Sequence, residues 1–175
     1  DKRRTPGIDQ LVEDGQILSV GDAKVQVIAT PGHTSTSVCY YVPPSGDNKS
    51  GVLWSGDTLF VGGCGRLFER DAQSMWKSLQ RLASLPDDTI IYCGHDYTLE
   101  NYEFALSIEP DNQLIEQRLH YIRRTGQSVP STMLQERTTN VFLRAGTPEL
   151  KAALNMPQAK DFEAFAELRR RKDIF

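Results

Sequence analysis

The sequence predicts a mixed α/β chain, with a sheet in its first hundred residues and helices behind it. Three observations carry that expectation. Short β-rich runs, QILSV, AKVQVIA, SVCYYV and VLW, are separated by turn residues. The stretch PPSGDNKSG between SVCYYV and VLW is polar and rich in proline and glycine, as a surface hairpin or loop requires. After a last apolar run, TIIYC, apolar residues recur at helical rather than alternating spacing.

Taken in order, Gly21-Asp22 supplies the turn between QILSV and AKVQVIA. A helix is expected from about Asp71, where Ala72, Met75, Trp76, Leu79 and Leu82 form one apolar stripe and Pro86 supplies the stop. That helix should cover one face of the sheet. TIIYC is apolar along its length, the pattern of a strand buried on both faces. Helical patterns follow over 98–108, 113–124 and 161–172, with Ile115, Leu119 and Ile122 forming a stripe in the second. Ser131, Leu134 and Gln135 can start another helix after Pro130, and Pro148 can take the first position of one more, where its missing N–H is no loss. The expected division is a sheet-bearing unit over 1–99 and a helical unit over 100–175. There is no internal repeat and no low-complexity segment.

With 39% hydrophobic residues, a 175-residue chain can bury a core. A net charge of −3 gives no reason to expect a nucleic-acid partner or a membrane surface. No apolar stretch approaches the roughly 20 residues that span a bilayer, and the opening DKRRTPGIDQ lacks the apolar core of a signal peptide. Cys39, Cys64 and Cys93 are widely spaced and odd in number, which fits reduced thiols in a cytoplasmic protein better than a disulfide framework. Asn48-Lys49-Ser50 is then a chance sequon.

The chemistry is concentrated after three of the strand-like runs. In TPGHTSTS, His33 follows Gly32; VLWSGD ends on Asp57 after Gly56; TIIYCGH ends on His95 after Gly94. Each time an apolar run reaches a glycine turn and then a metal-competent side chain. Nitrogen and carboxylate donors in one set suit zinc, iron or manganese, whereas calcium and magnesium prefer oxygen alone. The alternative is that a buried histidine and a capping aspartate merely follow glycines. The remaining histidine, His120, lies in the helical pattern QRLHYIRR and reads as an exposed or half-buried helix residue. Arg169 and Lys172 stand at i and i+3 on one helical face. Taken alone they fit a solvated helix end as well as an anion site.

The segments TPGHT, SGDTLF, GGCGRLFE and IYCGHDYTLEN, in this order and followed by the tail RRRKDIF, resemble the second half of glyoxalase II, the hydroxyacylglutathione hydrolases of the metallo-β-lactamase superfamily. The resemblance covers essentially the whole chain. It implies part of an αββα sandwich followed by a small helical domain that helps bind glutathione. It implies two divalent metal ions, zinc first with iron or manganese as alternatives. His33 would bind the first ion, Asp57 would bridge both and act in catalysis, and His95 would bind the second. The implied reaction is hydrolysis of S-lactoylglutathione and related 2-hydroxyacyl glutathione thioesters by a hydroxide held between the ions. The implied substrate contacts are Arg66, Leu67 and Phe68, then His95, Asp96 and Tyr97, then Arg169 and Lys172.

The sequence also departs from that pattern. Phe68 stands where some members have tyrosine, and Ser37 stands where the superfamily often has a second histidine after GHT. The first ligand cluster of the family, His-x-His-x-Asp-His, does not occur, and the chain opens on Asp1. The expectation is therefore a C-terminal portion of such a hydrolase. Three ligands shared between two ions leave each with two protein donors, fewer than the usual three or four, so residues 1–175 alone should hold metal weakly. Two other readings compete. A persulfide dioxygenase would share the fold, although the tail RRRKD argues against it. A non-catalytic module binding glutathione and metal would lack turnover.

Overall fold

The computed structural model describes residues 6–47 and 49–175; Asn48 of the sequon lies outside them. Strands β1 (Ile17–Val20) and β2 (Ala23–Ala29) form a hairpin around Gly21-Asp22, with Val20 opposite Ala23 and Ile17 opposite Gln26. Strand β3 (Val38–Val42) runs antiparallel to β2, and β4 (Val52–Gly56) antiparallel to β3. Two short strands, β5 (Leu59–Phe60) and β6 (Gly63–Cys64), pair with each other as a separate hairpin. Helix α1 (Ala72–Ala83) then crosses to β7 (Ile90–Cys93), which lies parallel to β4. Because β2 and β4 both run antiparallel to β3, strands β2, β4 and β7 point the same way. Their C-terminal ends therefore reach the same edge of the sheet.

Helix α1 begins where the sequence places it: the carboxylate of Asp71 accepts from Ser74 N at 2.8 Å and satisfies an otherwise free donor of the first turn. Met75, Leu79 and Leu82 are fully buried and share a core with Leu53 of β4 and Ile91 of β7. Each such side chain contributes about 2 kcal/mol relative to exposure.

The opposite face of the sheet carries Tyr40, Trp54 and Tyr92 on adjacent strands in matched register. Trp54 is 45% and Tyr92 40% exposed, and their rings stack at 6.4 Å. The run TIIYC is therefore buried on one face, not both. Its apolar continuity reflects Ile91 facing the core, while Tyr92 lies on a face left open among the described residues.

The tail forms α2 (Thr98–Ile108), α3 (Gln113–Thr125), α4 (Met133–Thr139), α5 (Pro148–Ala153) and α6 (Asp161–Asp173). Asn112 caps α3, Thr132 and Gln135 form a reciprocal cap on α4, and Pro148 opens α5 behind Thr147. Just before α4, the two-residue strand β8 (Ser131–Thr132) pairs antiparallel with β7 and completes a six-stranded sheet, β1-β2-β3-β4-β7-β8. Aromatic packing joins the tail to the sheet helix. Phe104 of α2 lies 5.9 Å from Phe142, Phe142 lies 6.0 Å from Phe165 of α6, and Phe165 lies 6.1 Å from Trp76 of α1.

Candidate functional site

The shared strand direction delivers three side chains to one place. His33 follows β2, Asp57 follows β4 and His95 follows β7. Asp57 stands between the imidazoles, with Oδ2 3.6 Å from His33 Nε2 and Oδ1 2.7 Å from His95 Nδ1. The carboxylate thus offers one oxygen to each histidine. The loops are tied together beneath it: the buried hydroxyls of Thr30 and Thr58 bond at 2.9 Å, and Gly94 N donates to Gly56 O at 2.8 Å.

Two glycines are required by this arrangement for different reasons. Gly56 turns the chain into Asp57 with φ +52°, a conformation that a side chain disfavours. Gly94 admits the carboxylate itself, since a Cβ there would lie 2.5 Å from Asp57 Oδ1.

The donor set fits divalent transition metals. His33 Nδ1 lies 2.9 Å from the carbonyl oxygen of Arg66, which can only accept. The proton of the neutral ring is therefore on Nδ1, and Nε2 presents its lone pair towards Asp57, the arrangement of a metal-binding imidazole oriented by a backbone carbonyl. The 3.6 Å between His33 Nε2 and Asp57 Oδ2 is close to the roughly 3.3 Å that separates two donors on one tetrahedral ion. On the other side, the 2.7 Å contact of Asp57 with His95 is a direct hydrogen bond, and that pair must part slightly to share an ion. Among the described residues, no three His, Cys, Asp or Glu donors close around a single point.

A cleft of about 380 Å³ opens beside these groups. Aromatic rings hold its imidazoles: Tyr97 stacks on His95 at 5.5 Å, Phe60 meets both edge-on, and Phe68 lies 4.9 Å from His33. The cationic side of the cleft brings together Arg66, Arg169 and Lys172. Arg169 and Lys172 are nearly buried, with side chains 6% exposed. Arg169 is already engaged, donating to Cys64 O at 2.9 Å and pairing with Asp173 at 3.0 Å. Lys172 pairs with Glu100. Arg66 is 66% exposed, with its nearest carboxylate contact, Asp173, at 3.9 Å.

Leu67 and Asp96 do not line the cleft. Leu67 packs against the core. Asp96 accepts from Thr98 Oγ1 at 2.6 Å and from Ser128 Oγ at 2.5 Å. Burial opposes its charge, but these bonds outweigh it and hold the carboxyl below its usual range. His120 is exposed on α3. The cysteines are free thiols; Cys64 is buried at the cleft wall, and desolvation pushes its thiol up to about 11 despite the nearby Arg169.

Sequence reasoning missed the support beneath this wall. The fully buried Glu136 accepts from Gly62 N at 2.8 Å, Asn140 Nδ2 at 2.9 Å and Ser131 Oγ at 2.6 Å. Asn140 also donates to Phe60 O and Gly63 O. Together they clamp the β5–β6 hairpin that leads into Gly65 and Arg66. Glu136 and Asn140 lie four apart on one helix face, a spacing that signals a pair but not its distant partner.

Comparison with known proteins accounts for the whole of the cleft-bearing chain. The model of the metallo-beta-lactamase superfamily matches residues 3–95, and that of the hydroxyacylglutathione hydrolase C-terminus matches 96–175. Hydroxyacylglutathione hydrolase of Maricaulis maris (strain MCS10) is 49% identical over 179 residues, covering 100% of this chain and 68% of that protein. The protein of the same name from Rhizobium meliloti (strain 1021) is 48% identical, covering 98% and 67%. The chain thus spans about two thirds of the length of these relatives. Among solved structures, ETHE1 from Myxococcus xanthus aligns with TM-score 0.58 at 25% identity, over 91% of this chain and 50% of that one. A Staphylococcus aureus metallo-beta-lactamase aligns at TM-score 0.55 and 23% identity, over 93% and 43%, a likeness of fold alone.

Proposed function

This chain belongs to the hydroxyacylglutathione hydrolase family of the metallo-β-lactamase superfamily, and from that premise we propose that it supplies the metal bridge and the glutathione-facing wall of a thioester hydrolase. The reaction is hydrolysis of S-lactoylglutathione and related 2-hydroxyacyl glutathione thioesters to the hydroxy acid and glutathione. The observation that carries the reading is Asp57 offering one carboxylate oxygen to each of two histidines beside a cationic cleft.

His33, Asp57 and His95 would hold two divalent ions, zinc first among zinc, iron and manganese given the nitrogen and oxygen donors. Bound there, the ions supply a nucleophile at neutral pH and Lewis-acid polarisation of the thioester carbonyl. The chain's own task is to bind and orient. Arg66 and Lys172 receive the carboxylates of glutathione, and Arg169 braces the wall between them through Cys64 O. Phe68, His95 and Tyr97 line the path of the thioester, while Leu67 and Asp96 fix the two loops from behind. No separate proton donor is assigned, because a thiolate of pKa near 8.5 departs without one.

The proposed division into 1–99 and 100–175 lies near the point where the two family matches meet, at 95 and 96, although β8 of the second part pairs into the sheet of the first. Free thiols support a reducing, cytoplasmic setting, and no described helix is long and apolar enough to cross a membrane. The test is a substrate panel given to the metal-loaded protein. Loss of thioester absorbance with S-lactoylglutathione, and none of the lactam signal with a β-lactam, is expected. Lactam cleavage without thioester cleavage would refute the assignment.

A further inference from the structure

The cationic side of the cleft contains a carboxylate that the proposed reaction does not use. Glu100 stands in the first turn of α2 and touches Lys172 of α6 across the cleft wall. The two partners differ in freedom. The Lys172 side chain is 6% exposed, and its ammonium lies 5.7 Å from the centre of the Phe104 ring and 5.3 Å from that of Phe175. An ammonium stripped of water in this way needs a counterion. Glu100 is 61% exposed and can turn into solvent at small cost. Its bond to Lys172 holds the carboxyl below its usual range, with smaller contributions from Arg66 and Arg169, so it is ionised at neutral pH.

We propose that Glu100 is an affinity-tempering placeholder: its carboxylate occupies Lys172 in the ligand-free protein, and a ligand carboxylate must displace it to bind there. The inference rests on the glutathione reading for the identity of its ligand. The displacement itself follows from the pair, since Lys172 is buried, Glu100 is exposed and both face the same cleft. Ligands lacking a carboxylate at that point leave the pair intact and gain nothing from Lys172. The placeholder therefore tempers affinity for the carboxylate ligand, easing its release, while keeping the buried ammonium neutralised between turnovers.

The test compares wild type, Glu100→Gln and Glu100→Asp as metal-loaded proteins. Glutathione binding is measured by calorimetry, and acetate, the minimal carboxylate, is titrated while the Lys172 side-chain signal is followed by NMR. Glu100→Gln should tighten both ligands by about two- to fivefold, the range of one partly exposed ion pair. Glu100→Asp should stay nearer wild type. In a Lys172→Gln background the effect of Glu100→Gln should vanish, an outcome that a general structural role would not produce. Weaker glutathione binding by Glu100→Gln would mean that Glu100 grips the ligand's ammonium, and unchanged binding would mean that the pair is inert; either result overturns the proposal. If wild type bound no glutathione while Glu100→Gln still gained acetate affinity at Lys172, the placeholder would stand and the glutathione reading would fall.

Discussion

Glu136→Ala should unfasten the hairpin that carries the arginine loop. Glu136 is fully buried, and its two oxygens satisfy donors from Gly62, Asn140 and Ser131. After truncation, Asn140 keeps Phe60 O and Gly63 O, and Ser131 can turn to Gln135 Oε1 at 3.3 Å. The Gly62 N–H loses its side-chain acceptor, a cost of about 1–3 kcal/mol. The cavity adds about 1–2 kcal/mol. The sum, about 2–5 kcal/mol, corresponds to a fall in Tm of roughly 5–15 °C for a chain of this size.

Glu136→Gln separates shape from charge. Its amide oxygen can accept from Gly62 and Asn140 while its amide nitrogen donates to Ser131, so every bond is kept. Burial pushes the Glu136 carboxyl above its ordinary value, against the bonds that favour its charge. The folded state therefore holds the proton more tightly than the unfolded state. This contribution is fully present below the unfolded value and is lost as pH rises through the folded one. Urea denaturation from pH 4 to 8 should show wild type losing stability relative to Glu136→Gln as pH rises. If Glu136→Gln at pH 7 were as unstable as Glu136→Ala, the donors would require the negative charge and this reasoning would be refuted.

Three further outcomes follow from the site. Asp57→Asn replaces two anionic oxygens with one neutral acceptor, so metal affinity in a metal-buffered titration should fall at least about 10-fold below wild type, with at least about a 100-fold loss of turnover. Gly94→Ala should lower metal affinity about 10- to 100-fold without removing a ligand, because its Cβ would displace Asp57 Oδ1; calorimetric metal titration beside a thermal melt separates this from unfolding. Residues 1–175 alone should hold metal weakly, since His33, Asp57 and His95 give each ion two protein donors; tight two-ion binding in a metal-buffered titration would require donors outside this set.

The sheet and the helices were legible in the sequence for ordinary reasons. Apolar runs ended at Gly56 and Gly94, Asp71 and Pro86 bounded α1, and Pro148 opened α5. The metal-competent residues were legible because each follows such a run, and parallel strand ends bring them together. Other features left no periodic trace. Strands β5, β6 and β8 have two residues each, too few for an alternation to register. Glu136 sits in MLQERTT, which reads as a surface helix until Gly62, 74 positions away, is known to need its oxygen. The basic face of α6 was visible as a spacing. That Arg169 is spent on Cys64 O, and Lys172 on Glu100, depends on partners 105 and 72 residues distant.

As proposed, Asp57 is the carboxylate between two metal positions. Crystals of the protein grown with saturating zinc, and measured on both sides of the zinc absorption edge, would locate the ions directly. Two anomalous peaks, one between Asp57 and His33 and the other between Asp57 and His95, are the predicted result. A single peak away from Asp57, or peaks that leave His33 or His95 uncoordinated, would contradict it.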